Sequence, residues 1–168
     1  MNIILIGMPG CGKSTVGIAL AKALGMTFCD TDAVIEAREG RKLQEIINAR
    51  GDDAFRICEE QALASIEADN TVIATGGSAV YSDLAMRHLK KSGPAVYLHV
   101  GAEEIARRLA DFSKRGITIR SGMTIMDLYE ERRPLYERYA DITVSAEGDT
   151  AQDVVRRVLD ALENFKKA

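Results

Sequence analysis

The chain contains 168 residues, of which 46% are hydrophobic and 28% charged, and this composition excludes a disordered or fibrous protein and predicts a single domain over residues 1–168. A net charge of −3 with both signs interspersed favours neither a nucleic acid nor a membrane surface as a partner. Three cysteines without metal-ligand spacing, and an N-terminal apolar run too short for a signal peptide, predict a cytoplasmic protein.

The apolar pattern predicts strands that alternate with helices. Short apolar runs predict strands at Ile3–Ile6, Thr27–Cys29, Val72–Ala74, Ala95–Val100 and Ile142–Val144. Helical periodicity marks Lys13–Leu24, Ala33–Arg38, Leu43–Ala49, Asp53–Glu67, Ser82–Lys90, Ala102–Asp111, Thr124–Tyr139 and Thr150–Lys166. Because such alternation is typical of parallel strands joined by right-handed crossovers, we expect an open α/β sheet with helices on both faces.

The first strand runs into GMPGCGKST, in which Gly7, Gly12, Lys13 and Ser14 satisfy the motif G-x-x-x-x-G-K-[ST]. Glycines let backbone N–H groups converge, and the following helix presents its positive end at the same point, so the loop is typical of a phosphate site. Lys13 is predicted to reach the β- and γ-phosphates of a nucleotide. The Ser14 hydroxyl is predicted to bind Mg²⁺.

Three further loop residues, Gly10, Cys11 and Thr15, are predicted to complete the nucleotide site. The Cys11 thiol lies beside Lys13 at a helix N-terminus, a position that favours the thiolate. We therefore predict that oxidation or alkylation of Cys11 blocks nucleotide binding.

Two carboxylates, Asp30 and Asp32, leave the second predicted strand in FCDTDAVIE. In this topology they lie beside the phosphate loop, where Asp30 can hold the hydration shell of Mg²⁺ and Asp32 can accept the proton of a substrate hydroxyl. The alternative is that one of the two, Asp30 or Asp32, caps the helix predicted to start near Ala33, and for Asp32 this role does not exclude catalysis.

The next segments indicate a pocket for an acidic group. Arg56 lies on a helix with Glu59 and Glu60 three and four residues further on. It forms either an intrahelical ion pair or a fork, oriented by Glu59, that binds a carboxylate. Gly76 and Gly77 end the third strand, where bare backbone can approach a ligand closely.

Two basic segments follow later in the chain. Residues 112–122, FSKRGITIRSG, carry three basic side chains and two glycines, and predict a mobile lid over an anionic ligand or else a solvated connector. Arg132 and Arg133 precede Pro134, which kinks or ends a predicted helix in ERRPLYERYAD. They belong either to a binding site or to a charged, solvated face.

GMPGCGKST, DTD, FRxxE, a strand ending in GG, the basic lid and R-x-P-L-Y-x-x-x-A occur together and in order, and over nearly its whole length the chain resembles the shikimate kinase family. The resemblance implies a P-loop NTPase fold of the nucleoside-monophosphate-kinase type, with three layers (α/β/α) and a five-stranded parallel sheet. It also implies ATP-dependent phosphorylation of shikimate to shikimate 3-phosphate in aromatic amino-acid biosynthesis, with Mg²⁺ as cofactor. ATP, ADP and a small hydroxy acid are the expected partners of a monomer.

The resemblance also implies roles on the nucleotide side of the site. It places Lys13 and Ser14 at the phosphates and Mg²⁺, with Asp30 in the outer shell of the metal. Arg108 matches the arginine that stacks on adenine, and Arg115 matches a catalytic arginine of the lid.

On the acceptor side, the resemblance implies that Asp32 binds the acceptor hydroxyls and that Arg56 and Arg132 bind the acceptor carboxylate. It also implies that Gly76 and Gly77 line the pocket and that Glu59 orients Arg56. Ser78 stands where the family has a third glycine, and its side chain is expected to intrude on the acceptor site. The lid motif R-P-L-L of the family reads R-G-I-T here. These departures leave as an alternative a related kinase for another hydroxy acid such as homoserine, from whose ammonium group the Ser78 hydroxyl would accept a hydrogen bond. A remote alternative, which the phosphate loop alone leaves open, is a non-catalytic nucleotide-binding switch.

Overall fold

The computed structural model describes residues 1–110, 122–148 and 150–167. Its strands lie close to the predicted ones: β1 (Ile3–Ile6), β2 (Thr27–Asp30), β3 (Thr71–Ala74), β4 (Ala95–His99) and β5 (Ile142–Ser145). They pair in parallel in the order β2-β3-β1-β4-β5, which confirms the predicted five-stranded sheet. Every residue of β1 and β3 is buried, as expected for strands covered on both faces.

The helices of the described segments are α1 (Lys13–Leu24), α2 (Thr31–Glu39), α3 (Leu43–Ala64), α4 (Asp83–Lys90), α5 (Ala102–Ala110), α6 (Ile125–Tyr139) and α7 (Ala151–Lys167). α3 joins two predicted helices, but Gly51 between them has φ 81° and ψ 172°, so the predicted break is present as a kink. A 3₁₀ turn at Ala79–Tyr81 adds to the predicted elements. None of these helices is long and apolar enough to cross a membrane.

The strand order determines which helices cover each face of the sheet. The chain moves outward from β1 to β2 and then returns across the sheet through β3, β4 and β5. Because crossovers between parallel strands are right-handed, α1 lies on one face, where it packs against α7, and the helices of the later crossovers lie on the other. The described segments thus form the three expected layers.

The strand order also fixes where a ligand binds. β1 lies between β3 and β4, and the connections that follow β1 and β3 run in opposite directions along the sheet. In open parallel sheets, ligands bind beyond the carboxyl ends of the strands at such a reversal. β1, β2 and β3 end at this edge, where the phosphate motif follows β1, Asp30 ends β2 just ahead of Asp32 in α2, and the glycine pair follows β3.

Two predictions fall outside the part of the chain that the structure describes. The lid at 112–122 is described only at Gly122, and Arg115 belongs to the remainder of that segment. Both stay predictions.

Candidate active site

The loop between β1 and α1 has the backbone that a phosphate site requires. Gly10 and Gly12 have φ values of 79° and 96°, in the left-handed region that favours glycine. Helix α1 begins at Lys13 with no side-chain cap and no acidic residue in its first turn. Its first backbone N–H groups and its positive end are therefore open to an anion.

Lys13 lies against this loop. Its Nζ donates hydrogen bonds to the carbonyl oxygens of Gly7, at 2.7 Å, and Met8, at 2.9 Å, and lies 3.6 Å from the Cys11 Sγ. The ammonium group is thus held where an anion bound by the loop would meet it. The Cys11 side chain is only 2% exposed. Because a buried thiol is poorly accessible to oxidants, this burial argues against the predicted sensitivity to oxidation.

Ser14 and Asp30 form the candidate metal site. The Ser14 hydroxyl donates a hydrogen bond to Asp30 Oδ2 at 3.1 Å. Mg²⁺ takes oxygen ligands and is commonly held by one or two protein groups together with substrate phosphates and water, so this pair beside the phosphate loop fits the ion. No cluster of three or more His, Cys, Asp or Glu side chains elsewhere in the described residues offers a second metal site.

Asp30, and not Asp32, caps helix α2. Asp30 Oδ1 accepts a hydrogen bond from the Asp32 backbone N–H at 3.0 Å, and α2 therefore begins at Thr31, ahead of its predicted start. The Asp32 carboxylate is left to face the cleft. Burial, and next the charge of Asp30, raise the pKa of Asp32 to about 6, while Lys13 lowers it. A carboxylate with this pKa is mostly ionised at neutral pH and can accept a proton.

Gly76 and Gly77 lie where a side chain has no room. A Cβ on Gly76 would lie 2.8 Å from Glu59 Oε1 and 2.9 Å from Asp32 Oδ1. A Cβ on Gly77 would lie 2.8 Å from a proline ring of the phosphate loop and 2.9 Å from a guanidinium nitrogen of Arg132. The glycine pair therefore brings bare backbone between two carboxylates and an arginine.

Ser78 does not intrude on the cleft in the way expected. It is 7% exposed, and its hydroxyl donates a hydrogen bond of 2.6 Å to Glu59 Oε2. Its φ of −88° is an ordinary right-handed value, so the backbone at this position has no need of glycine. Glu59 is 3% exposed, and burial raises its pKa to about 7 although the Ser78 hydrogen bond lowers it. Ser78 is thus the hydrogen-bond partner of a buried carboxylate.

Arg56 does not form the intrahelical pair that its spacing suggests. The carboxylates of Glu59 and Glu60 accept hydrogen bonds from serines, and neither forms an ion pair with Arg56. The guanidinium carbon of Arg56 instead lies 4.0 Å from the centre of the Tyr81 ring. Its Nε is buried and has no hydrogen-bond partner in the described part of the chain. Glu59 therefore does not orient Arg56 through a direct contact.

Arg132 is 1% exposed, which excludes the solvated face that its sequence context left open. Its Nε donates a hydrogen bond to the Tyr81 hydroxyl at 3.3 Å. Four residues further along α6, the Tyr136 hydroxyl donates to the carbonyl oxygen of Gly77 at 2.7 Å and ties this helix to the glycine pair. Sequence reasoning does not select either tyrosine; the only signal for Tyr136 is its place in R-x-P-L-Y.

Arg108 lies at the nucleotide end of the site. Its Nη1 donates to the Gly10 carbonyl oxygen at 3.2 Å, and its Nη2 donates to that of Ala146 at 3.3 Å. Its Nε donates to Glu104 at 2.7 Å. The guanidinium group thus joins the phosphate loop to the segment after β5.

The residues of the nucleotide half, around the phosphate loop, and those of the acceptor half, around Asp32 and the glycine pair, line one cleft of about 860 Å³. The predicted site residues that line it are Gly10, Gly12, Lys13, Ser14, Thr15, Asp30, Asp32, Glu59, Gly76, Gly77, Ser78, Arg108 and Arg132. Cys11 and Arg56 lie outside this lining. The cleft can hold polyphosphate at one end and a small acidic molecule with a hydroxyl group at the other.

Comparison with known proteins agrees with this arrangement. The family model described as shikimate kinase matches residues 9–163. A shikimate kinase of Synechococcus sp. (strain RCC307) is 40% identical over 171 residues, which cover 99% of this chain and 87% of that protein.

Solved structures give the same result. The shikimate kinase of Aquifex aeolicus has a TM-score of 0.85 and 35% identity, over 98% of this chain and 97% of its own. The shikimate kinase of Acinetobacter baumannii in complex with shikimate has a TM-score of 0.86 and 32% identity, over 98% of this chain and 94% of its own. The chain belongs to the shikimate kinase family.

Proposed function

We propose that this protein transfers the γ-phosphoryl group of ATP to a hydroxyl of shikimate, giving ADP and shikimate 3-phosphate for aromatic amino-acid biosynthesis. The observation that carries the proposal is the shared cleft, which is lined by the phosphate loop and also by Asp32, the glycine pair and Arg132. A nucleotide-binding switch binds no acceptor and does not need the acceptor half of this cleft. The bound shikimate in the Acinetobacter baumannii relative supports the choice of acceptor.

The phosphate loop holds the donor. Its convergent N–H groups and the start of α1 bind the phosphates, and Lys13 moves from the loop carbonyls onto the β- and γ-phosphates, where it balances the charge of the transition state. Ser14 and Asp30 would hold Mg²⁺, which would supply positive charge beside the phosphates. Arg108 is proposed to contact the adenine, and Arg115 to act from the lid.

Asp32 receives the proton of the acceptor. The shikimate oxygen forms a bond to the γ-phosphorus as its proton passes to the Asp32 carboxylate, and the bond to the β–γ bridging oxygen breaks to release ADP. A pKa of about 6 suits this role, because the group is ionised before the reaction and still basic enough to take a proton.

Arg132 and Arg56 are proposed to bind the shikimate carboxylate, and Gly76 and Gly77 to line its ring. Arg132 supplies a charged fork that is already fixed inside the protein. Arg56 keeps a buried Nε without a partner in the described segments, and a bound carboxylate would satisfy it. The Ser78 hydroxyl donates its hydrogen to the buried Glu59, and this contact accounts for the serine without an ammonium group such as that of homoserine.

The cellular setting belongs to the same proposal. The described cysteines, Cys11, Cys29 and Cys58, are all free thiols, which fits the reducing cytoplasm. We propose a monomer, because residues of one chain line both halves of the cleft.

The test is ADP release by the purified protein with ATP and Mg²⁺, with shikimate and homoserine added in separate reactions and a Lys13→Ala variant as background. Strong stimulation by shikimate is the expected result. Stimulation by homoserine alone would reject shikimate as the acceptor. Stoichiometric nucleotide binding without acceptor-stimulated ADP release would reject catalysis and indicate the switch.

A further inference from the structure

Tyr81 connects the two arginines of the acceptor side. It ends the 3₁₀ turn Ala79–Tyr81, which Ser78 alone separates from the glycine pair. The guanidinium carbons of Arg56 and Arg132 lie 4.0 Å and 5.3 Å from the centre of its ring. Its hydroxyl accepts a hydrogen bond from Arg132 Nε at 3.3 Å and donates one to Glu131 Oε1 at 2.7 Å.

Two guanidinium groups with the same charge repel each other, and the repulsion is stronger in a partly buried site than in water. The negative face of an aromatic ring attracts a cation and can hold it without a carboxylate that would compete with an acidic ligand. Tyr81 provides such a ring for both arginines, while its hydroxyl fixes the direction of the Arg132 fork. Glu131 lies beyond that hydroxyl and completes the chain of contacts.

We propose that Tyr81 is a positioning residue that holds Arg56 and Arg132 in the arrangement that binds the acceptor carboxylate, an inference that rests on the proposed function. Glu59 and Glu60, on α3, each accept a hydrogen bond from a serine, and neither forms an ion pair with Arg56. Arg56 has its guanidinium group stacked on the ring, so removal of the ring releases it. The ring thus acts on acceptor affinity and leaves the phosphate loop unaffected.

The test separates the ring from the hydroxyl. Tyr81→Leu removes both, and we expect the KM for shikimate to rise about tenfold, since cation–π contacts with two arginines are lost. Tyr81→Phe keeps the ring but removes the hydroxyl and its hydrogen bonds to Arg132 and Glu131, and we expect a rise of about threefold because the direction of the Arg132 fork is no longer fixed. The KM for ATP stays within about twofold in both variants, because the nucleotide half of the cleft is untouched.

Tyr139 offers a matched control, because its ring and hydroxyl make the same two kinds of contact with residues other than Arg56 and Arg132. Its ring centre lies 5.4 Å from the guanidinium carbon of Arg138, and its hydroxyl donates to Asp83 Oδ1 at 2.8 Å. Tyr139→Leu and Tyr139→Phe should therefore lower the Tm as the Tyr81 variants do, and leave the KM for shikimate unchanged. Calorimetric titration of shikimate without ATP gives the affinity independently of turnover.

The outcomes are distinguishable. An increase in the shikimate KM and Kd confined to the Tyr81 variants supports the inference. Wild-type turnover of shikimate together with an unchanged KM in folded Tyr81→Leu would overturn it, and so would equal effects in the Tyr139 variants. A wild-type protein that does not phosphorylate shikimate would overturn the proposed function and this inference with it.

Discussion

Replacing Ser78 by alanine removes the hydrogen bond to Glu59 Oε2, which is 2.6 Å long and joins two buried side chains. Glu59 Oε1 has no hydrogen-bond partner in the described residues, so the variant leaves both carboxylate oxygens without one there. A hydrogen bond between neutral groups contributes about 1 kcal/mol, and one to a charged group about 1.5 to 3 kcal/mol. The substitution should therefore lower the free energy of unfolding by about 1 kcal/mol more when Glu59 is ionised than when it is neutral. This difference raises the pKa of Glu59 by about one unit.

The sign of the pH dependence follows from the direction of the shift. Burial raises the pKa of Glu59 from 4.5 to about 7, so the folded protein binds this proton more tightly than the unfolded chain does. The contribution of Glu59 to the free energy of unfolding is therefore greatest below pH 4.5 and falls as the pH rises to about 7. In Ser78→Ala the fall continues to about pH 8.

Urea unfolding of the wild type, Ser78→Ala, Glu59→Gln and the double variant measures this difference at about pH 5 and about pH 9. We expect Ser78→Ala to lose about 1 kcal/mol at the lower pH and about 2 kcal/mol at the higher one. In the Glu59→Gln background the loss should be the same at both, because no carboxylate titrates there. An equal loss at both pH values in the wild-type background would refute the reasoning, as would a pH-dependent loss that persists in the Glu59→Gln background.

Three further predictions concern the reaction itself. Lys13→Ala and Asp32→Asn should each abolish phosphoryl transfer in a coupled ADP assay and leave the circular dichroism spectrum unchanged, because neither side chain belongs to the hydrophobic core. Arg132→Ala should weaken acceptor binding by about 2 to 4 kcal/mol, measured as the shikimate KM. Arg132→Lys keeps the charge without the fork and should recover part of the loss. Arg133→Ala serves as the control, because the Arg133 side chain is half-exposed. Gly76→Ala should lose acceptor binding and also lower the Tm, because the new Cβ would lie 2.8 Å from Glu59 Oε1 and 2.9 Å from Asp32 Oδ1 and would displace Glu59, which is buried and bonded to Ser78.

The sequence predicts the elements well where the signal is local. Helix α1 has the predicted bounds, Lys13–Leu24, because a strand, a glycine loop and an apolar period meet there. Helix α2 begins ahead of its predicted start because Asp30 both ends β2 and caps the helix, and a pattern of apolar residues cannot show a cap. The kink at Gly51 lies in the predicted gap between two helices, and glycine is the residue that tolerates its positive φ.

The acceptor side is less predictable because its contacts are not local. The spacing of Arg56 and Glu59 favours a pair within one helix. In the folded chain, Ser78 and Tyr81 belong to the segment after β3. The Ser78 hydroxyl donates a hydrogen bond to Glu59, and the Tyr81 ring contacts the guanidinium group of Arg56. The packing of α3 against the 3₁₀ turn Ala79–Tyr81 brings these side chains together, and no periodicity within either segment encodes it.

One row of register partners crosses the centre of the sheet: Asp30 lies opposite Ala74, and Ala74 lies opposite Leu5. Neighbouring strands are about 4.8 Å apart, so the ends of β2 and β1 are separated by about 10 Å of hydrogen-bonded backbone. The aspartates lie at the end of β2, and the phosphate loop begins at the end of β1. In an inhibitor that links a nucleotide to an acceptor mimic, the linker must therefore match the distance between the ends of β1 and β2, which the interstrand spacing sets. The length of the linker then matters more for binding than the flexibility of the side chains around it.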